Sequence, residues 1–160
     1  MHKPHSTRVG LFVFFKAKAF SFNMSTMPAF RYTILPILLA TIWISISEFV
    51  RNELLFNDYW VHHYAKLGLT FPADPINGIV WGLWSLCFAI GIYVISRKFT
   101  LWPTFLLSWW MGFVLMWLVV GNMAVLPFDL LWYAVPLSLL EAGVASWLIH
   151  SLSQPVRAVR

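Results

Sequence analysis

The chain has 160 residues, of which 60% are hydrophobic and only 11% are charged. Soluble domains usually carry about a quarter charged residues, so this composition argues against a water-soluble fold. A membrane-spanning helix needs about 20 mostly apolar residues, which leaves room for four or five spans and no separate soluble domain. The formal net charge of +5 does not indicate a nucleic-acid partner, because the basic residues lie in the tails and one short loop.

Four apolar segments are long enough to span a bilayer, and they predict an all-α, polytopic membrane protein with a four-transmembrane-helix bundle. The predicted transmembrane domain covers residues 31–150, with spans at about 32–56, 75–95, 101–126 and 129–149. Asp129 is the expected N-cap of the fourth span, and Pro136 is expected to kink it. The aromatic and basic residues at 57–74 favour an interfacial helix between the first two spans.

Residues 1–30 form a basic N-terminal tail, and residues 151–160 form a basic C-terminal tail. The apolar stretch in the N-terminal tail is too short to span a membrane and lacks a small-residue cleavage site. Met24 and Met27 stand just before the first span. We therefore expect translation to start at one of them, and residues 1–23 to be dispensable for insertion.

The distribution of lysine and arginine predicts the orientation of the chain. Nine of these 11 residues fall on one side of the predicted spans, namely Lys3, Arg8, Lys16, Lys18, Arg31, Arg97, Lys98, Arg157 and Arg160. The other side has Lys66, with Arg51 at a helix end. The positive-inside rule then places both termini in the cytoplasm. The chain resembles in outline the short four-span proteins of bacterial inner membranes, so we expect a multi-pass protein of that membrane, in contact with the lipid bilayer.

Three polar residues of the first span lie on one helical face, because Glu48, Arg51 and Asn52 are spaced at i, i+3 and i+4. At 1.5 Å per residue, Glu48 lies about 12 Å and Glu141 about 18 Å below the external surface. Ionisable groups at such depth usually face the bundle interior, where they pair or mark a pathway. We therefore predict that Glu48, Arg51 and Glu141 meet inside the bundle. The candidates for a ligand site or proton pathway are these three residues with Asn52 and Asn122.

The remaining reactive side chains give weaker indications of chemistry. Asp58 and His62 are four residues apart beside His63, which invites a metal interpretation, but no spacing supplies a third ligand. His150 lies at the opposite end of the bundle, so a bis-histidine haem is disfavoured. Cys87, the single cysteine, excludes an internal disulfide, and we expect it to pack as a small hydrophobic residue. We expect no metal and no cofactor.

Small residues follow one face of the second span, where Gly78, Gly82 and Ser85 allow another helix backbone to approach closely. Ser108 and Gly112 repeat this pattern in the third span. Both patterns predict helix packing. The face with Gly78, Gly82 and Ser85 is also a candidate interface for a homo-oligomer.

Three functions are compatible with this sequence. The first is a small transporter or ligand-binding membrane protein with a buried site of glutamate and arginine. The second is a structural or accessory subunit of a membrane complex, in which the buried acids only hold helices together. The third is a membrane enzyme acting on a lipid-linked substrate, which ranks last because no nucleophile-base pair or metal motif is recognisable.

Overall fold

The computed structural model describes residues 30–153, so the predictions for the two tails and for a start at Met24 or Met27 lie outside the described residues. Within this range the chain is helical and has no strand. Four helices are long and apolar enough to cross a membrane, and a short helix joins the first two. The helices are α1 (Phe30–Leu55), α2 (Asn57–Lys66), α3 (Pro75–Ser96), α4 (Leu101–Asn122) and α5 (Phe128–Leu152). The predicted all-α architecture with four long apolar helices is confirmed.

The connection between α4 and α5 differs from the prediction. The helix α4 ends at Asn122 rather than at Leu126, because Ala124 adopts a left-handed backbone conformation with φ of 57°. The amide of Ala124 then donates to the carbonyl of Gly121 at 3.0 Å, which closes the helix end. Asp129 is not the N-cap of α5, because it lies inside the 3₁₀ turn Phe128–Leu130 that begins the helix.

Small side chains fill most of the contacts between the long helices. On α1 the buried residues recur mainly every fourth position, and on α5 most buried positions are Ala or Ser, so the helix backbones approach closely. The helix α5 packs against α1, α3 and α4. The apolar core lies towards the end of the bundle where α3 and α5 finish, and consists of Ala40, Ile44, Ala89, Ile92, Ala145 and Ile149. The buried charged residues lie in the other half.

The predicted small-residue faces behave differently from each other. A Cβ added at Gly112 would lie 2.6 Å from the ring of Phe88, so the packing role predicted for Gly112 is confirmed at the α3–α4 contact. A Cβ added at Gly78 or Gly82 would meet nothing within 4 Å. These two glycines therefore make no close helix contact within the described chain, and their role in a homo-oligomer stays a prediction. Cys87 is exposed on the bundle surface rather than packed in the core.

Two of the long helices contain a π turn, and a third contains a proline, in the half of the bundle that contains the charged residues. In α1, residues Val50–Leu55 form a π turn, in which the amide of Phe56 donates to the carbonyl of Arg51 at 3.1 Å. In α4, residues Trp110–Val114 form a second π turn. Pro136 lies inside α5, as predicted, and cannot donate to the carbonyl four residues earlier. Such π turns are frequent at functional sites.

Candidate functional site

The helices α1 and α5 bring Glu48, Arg51 and Glu141 into one buried cluster, as the sequence predicts. The guanidinium of Arg51 donates to the carboxylate of Glu48 and, from Nη1, to Oε2 of Glu141 at 3.3 Å. Glu48 is 4% exposed and Glu141 is 1% exposed. One arginine therefore bridges two acids that approach from different helices. The role of this cluster in ligand binding or proton transfer stays a prediction.

Asn52 extends the cluster towards α2. Its side-chain amide donates to Oε2 of Glu48 at 2.8 Å, and its Oδ1 accepts a hydrogen bond from Nε1 of Trp60 at 3.1 Å. A ring nitrogen of His63 also donates to the carbonyl of Val125 at 2.8 Å. These two bonds fix α2 across the end of the bundle, between α1 and the connection that leads into α5.

The histidines of α2 form no metal site within the described residues. The Nδ1 atom of His62 lies 2.6 Å from the carbonyl oxygen of Asp58 in the same helix, which is a local hydrogen bond with the backbone. His63 is engaged with Val125. The arrangement therefore gives α2 a structural role in covering the bundle end.

Aromatic side chains from α3 and α4 form another wall of the cluster. The guanidinium carbon of Arg51 lies 5.3 Å from the ring centroid of Phe113, within the range of a cation–π interaction. The ring of Phe113 is fully buried and packs edge-on against Trp84 and Phe88, with centroid distances of 6.0 and 5.7 Å. Trp110, three residues before Phe113 on the same helix, is exposed and does not contribute to this wall.

The cluster holds more acidic groups than basic groups. It contains two carboxyl groups and one guanidinium, while α3 and α4 contain no Asp, Glu, Lys, Arg or His. With both acids ionised the cluster has a net charge of −1, so one proton or one bound monovalent cation makes it neutral. The Oε1 atom of Glu141 is buried and accepts no hydrogen bond from the described residues. Glu141 is therefore the acid of the cluster whose second oxygen has no partner, and a donor or cation could contact this atom only after a side-chain movement.

A cavity of about 210 Å³ lies between α1 and α5 and reaches this cluster. Its polar lining comes from Ser47, Arg51 and Glu141, and the rest of its wall is apolar. Ile46 on α1 and Leu140 on α5 also line the cavity, although they are 53% and 58% exposed on the bundle surface. The cavity therefore opens sideways through the apolar surface of the bundle.

The sequence predictions missed some residues of this site and included one that lies elsewhere. Trp43 and Ser47 line the cavity, and Nε1 of Trp43 donates to the backbone carbonyl of Glu141 at 3.1 Å. Their four-residue spacing to Arg51 was a usable indication, because it places all three on one helical face. Asn122 is exposed at the end of α4, about 14 Å along the helix from Phe113, so the structure does not bring it to the cluster.

Four helices of spanning length around a buried ion-pair cluster are the features of a helical membrane bundle. Comparison with protein-family models, with curated proteins and with solved structures finds no match for this chain. The cluster and the cavity are therefore the features of this chain that bear on its function.

Proposed function

We propose that this chain is a multi-pass membrane protein that binds a ligand at Glu48, Arg51 and Glu141, as a small transporter or a ligand-binding protein. The observation that carries the proposal is the cavity between α1 and α5, because its wall includes Arg51 and Glu141, the two residues of a buried ion pair. Binding sites in membrane bundles are commonly concave, mostly apolar and supplied with a few placed polar groups. Ionisable groups inside membrane spans are usually functional.

The alternative is a structural or accessory subunit. The open space around Gly78 and Gly82 favours it, because small residues at a helix surface suit contact with another helix. An accessory role explains the ion pair between Arg51 and Glu141 but not the cavity beside it. Ligand binding explains both features, and we therefore rank it first.

Modification by a carbodiimide tests access to the site. Dicyclohexylcarbodiimide is an apolar carboxyl reagent that dissolves in the bilayer, so it should enter the cavity from the side and convert Glu141 to an N-acylurea. Peptide mass spectrometry of the protein in native membranes should locate the adduct. A water-soluble carbodiimide should instead modify Glu53 and Asp58, which are exposed near α2.

The matched control is Glu141→Gln, which keeps the shape of the side chain and removes the reactive group. This variant should form no adduct with dicyclohexylcarbodiimide at position 141. The water-soluble carbodiimide should modify Glu53 in the variant as it does in the unmodified protein. Folded protein in which dicyclohexylcarbodiimide leaves Glu141 unmodified would mean a sealed ion pair, and the accessory role would then be preferred.

We further propose that both termini are cytoplasmic, on the basis of the lysine and arginine distribution. From the outline resemblance to short four-span proteins, we also propose that the protein resides in a bacterial inner membrane. Single cysteines introduced at Ala65 and Thr100 in a Cys87→Ala background should lie on opposite sides of the membrane. Neither substitution alters a charge, so the lysine and arginine distribution stays the same. A membrane-impermeant maleimide should label Ala65→Cys in intact cells, and Thr100→Cys only after permeabilisation. Labelling of both positions from the same side would contradict the proposed topology.

A further inference from the structure

We propose that the ligand is a monovalent organic cation with an apolar body, and that it binds Glu141 from the side of the bundle in place of the proton that otherwise neutralises the cluster. This inference rests on the proposed function and specifies the ligand class for the same site. The step is an exchange, in which the cation enters the cavity and the displaced proton passes to the solution. The cluster remains neutral in both states.

The charges of the cluster favour a cation over an anion. Arg51 already contacts Glu48, Glu141 and the ring of Phe113, so its positive charge is compensated within the bundle. Glu141 keeps one oxygen without a hydrogen-bond donor. An anion would add a further negative charge to a cluster that already holds two acids. A cation supplies the single positive charge that the two acids lack.

Among residues 30–153, no further ionisable side chain forms an ion pair with the cluster. The helices α3 and α4 contribute none, and α1 contributes only Glu48 and Arg51 to the cluster. On α5, His150 follows Glu141 by nine residues, which separates them by about 14 Å along the helix. The proton that a cation displaces must therefore come from the two acids of the cluster.

The size and lining of the cavity define the rest of the ligand. A protein cavity of about 150 Å³ binds benzene, so the volume of about 210 Å³ holds a ring with a short branched substituent. Trp43, Leu137 and Leu140 offer apolar contacts, and the indole ring can also face a positive charge. A small aromatic ammonium ion satisfies all of these conditions.

The position of the opening favours entry from the bilayer. Ile46, Leu55 and Leu140 line the cavity and are exposed on the apolar surface of the bundle, where lipid chains would lie. At the end of the bundle, α2 is held by the bonds of Trp60 to Asn52 and of His63 to Val125. An amphipathic cation that partitions into the membrane therefore has the more direct route.

The test uses benzyltrimethylammonium, a permanent cation of suitable size, with its neutral isostere neopentylbenzene and the anion 3-phenylpropionate as comparison probes. With the purified full chain in detergent, calorimetry should give a dissociation constant at least about tenfold lower for the cation than for either comparison probe. Binding in weakly buffered solution should release about one proton per cation, reported by a pH indicator. The cation should also protect Glu141 from dicyclohexylcarbodiimide.

The variants separate binding at Glu141 from binding to the surface. Glu141→Gln should lose the preference for the cation and the proton release, whereas Glu53→Gln, which changes an exposed acid on the same helix as Glu48, should keep both. The comparison of probes on the unmodified chain does not depend on how the variants fold.

The outcomes distinguish this inference from the proposed function. Modification of Glu141 without binding of benzyltrimethylammonium, or binding without proton release, overturns the ligand class and leaves the proposed site intact. Tighter binding of 3-phenylpropionate assigns the site to anions at Arg51. An unmodified Glu141 together with no binding of any probe overturns both proposals.

Discussion

The Arg51→Ala variant should lose a large part of its stability, because it leaves Glu48 and Glu141 buried together with no cation between them. Removing one partner of a buried ion pair costs about 3–5 kcal/mol. The total stability of a folded protein is typically about 5–15 kcal/mol, so this loss is a large fraction of it. Unfolding in a detergent-to-SDS titration, followed by tryptophan fluorescence, should show the variant unfolding at a much lower SDS fraction.

Two further variants show whether charge is the cause. Arg31→Ala removes an exposed arginine from the same helix and should change the free energy of unfolding by no more than about 0.5 kcal/mol. Adding Glu48→Gln and Glu141→Gln to Arg51→Ala removes every charge from the cluster and should recover most of the lost stability. A triple variant that stays as unstable as Arg51→Ala would attribute the loss to packing around the guanidinium instead.

The charged core of this site was predictable from the sequence, because an ionisable group inside an apolar span needs polar partners and few such groups are present. In a membrane span, lipid would not solvate a carboxylate such as Glu141, so the sequence predicts that it faces the bundle. The nearest groups able to compensate it are on the first span. The helical spacing of Glu48 and Arg51 placed both on one face. Depth estimates and helical periodicity together were enough to predict a contact between residues 90 positions apart.

The aromatic wall was not predictable in the same way, because the position of Phe113 depends on irregular backbone in α4. The buried residues of α4 run from Thr104 to Ser108 at a spacing of four and then to Phe113 at a spacing of five. The π turn at Trp110–Val114 accounts for the additional residue. Regular helical periodicity places Trp110 and Phe113 only about 60° apart around the helix, so it favours the same environment for both. The sequence of this turn contains no proline to indicate the irregularity.

The Phe113→Ala variant should also be strongly destabilised, because Phe113 is fully buried and is the largest such side chain among the described residues. Phenylalanine-to-alanine changes in protein cores cost about 3–5 kcal/mol. Helix packing in a membrane relies on such contacts rather than on transfer from water, so we expect a value of about 3 kcal/mol. The same SDS titration measures it.

The control for Phe113→Ala is Trp110→Ala, which removes an even larger ring from the exposed face of the same π turn. This change should alter the free energy of unfolding by less than about 1 kcal/mol.

Phe113→Leu keeps most of the apolar volume and removes the aromatic face beneath Arg51. The difference between Phe113→Leu and the unmodified protein should therefore include a cation–π contribution of about 0.5–2 kcal/mol. That contribution should disappear when the comparison is repeated in the variant with Arg51→Ala, Glu48→Gln and Glu141→Gln. An unchanged difference in that background would show that Phe113 acts on the cluster through volume alone.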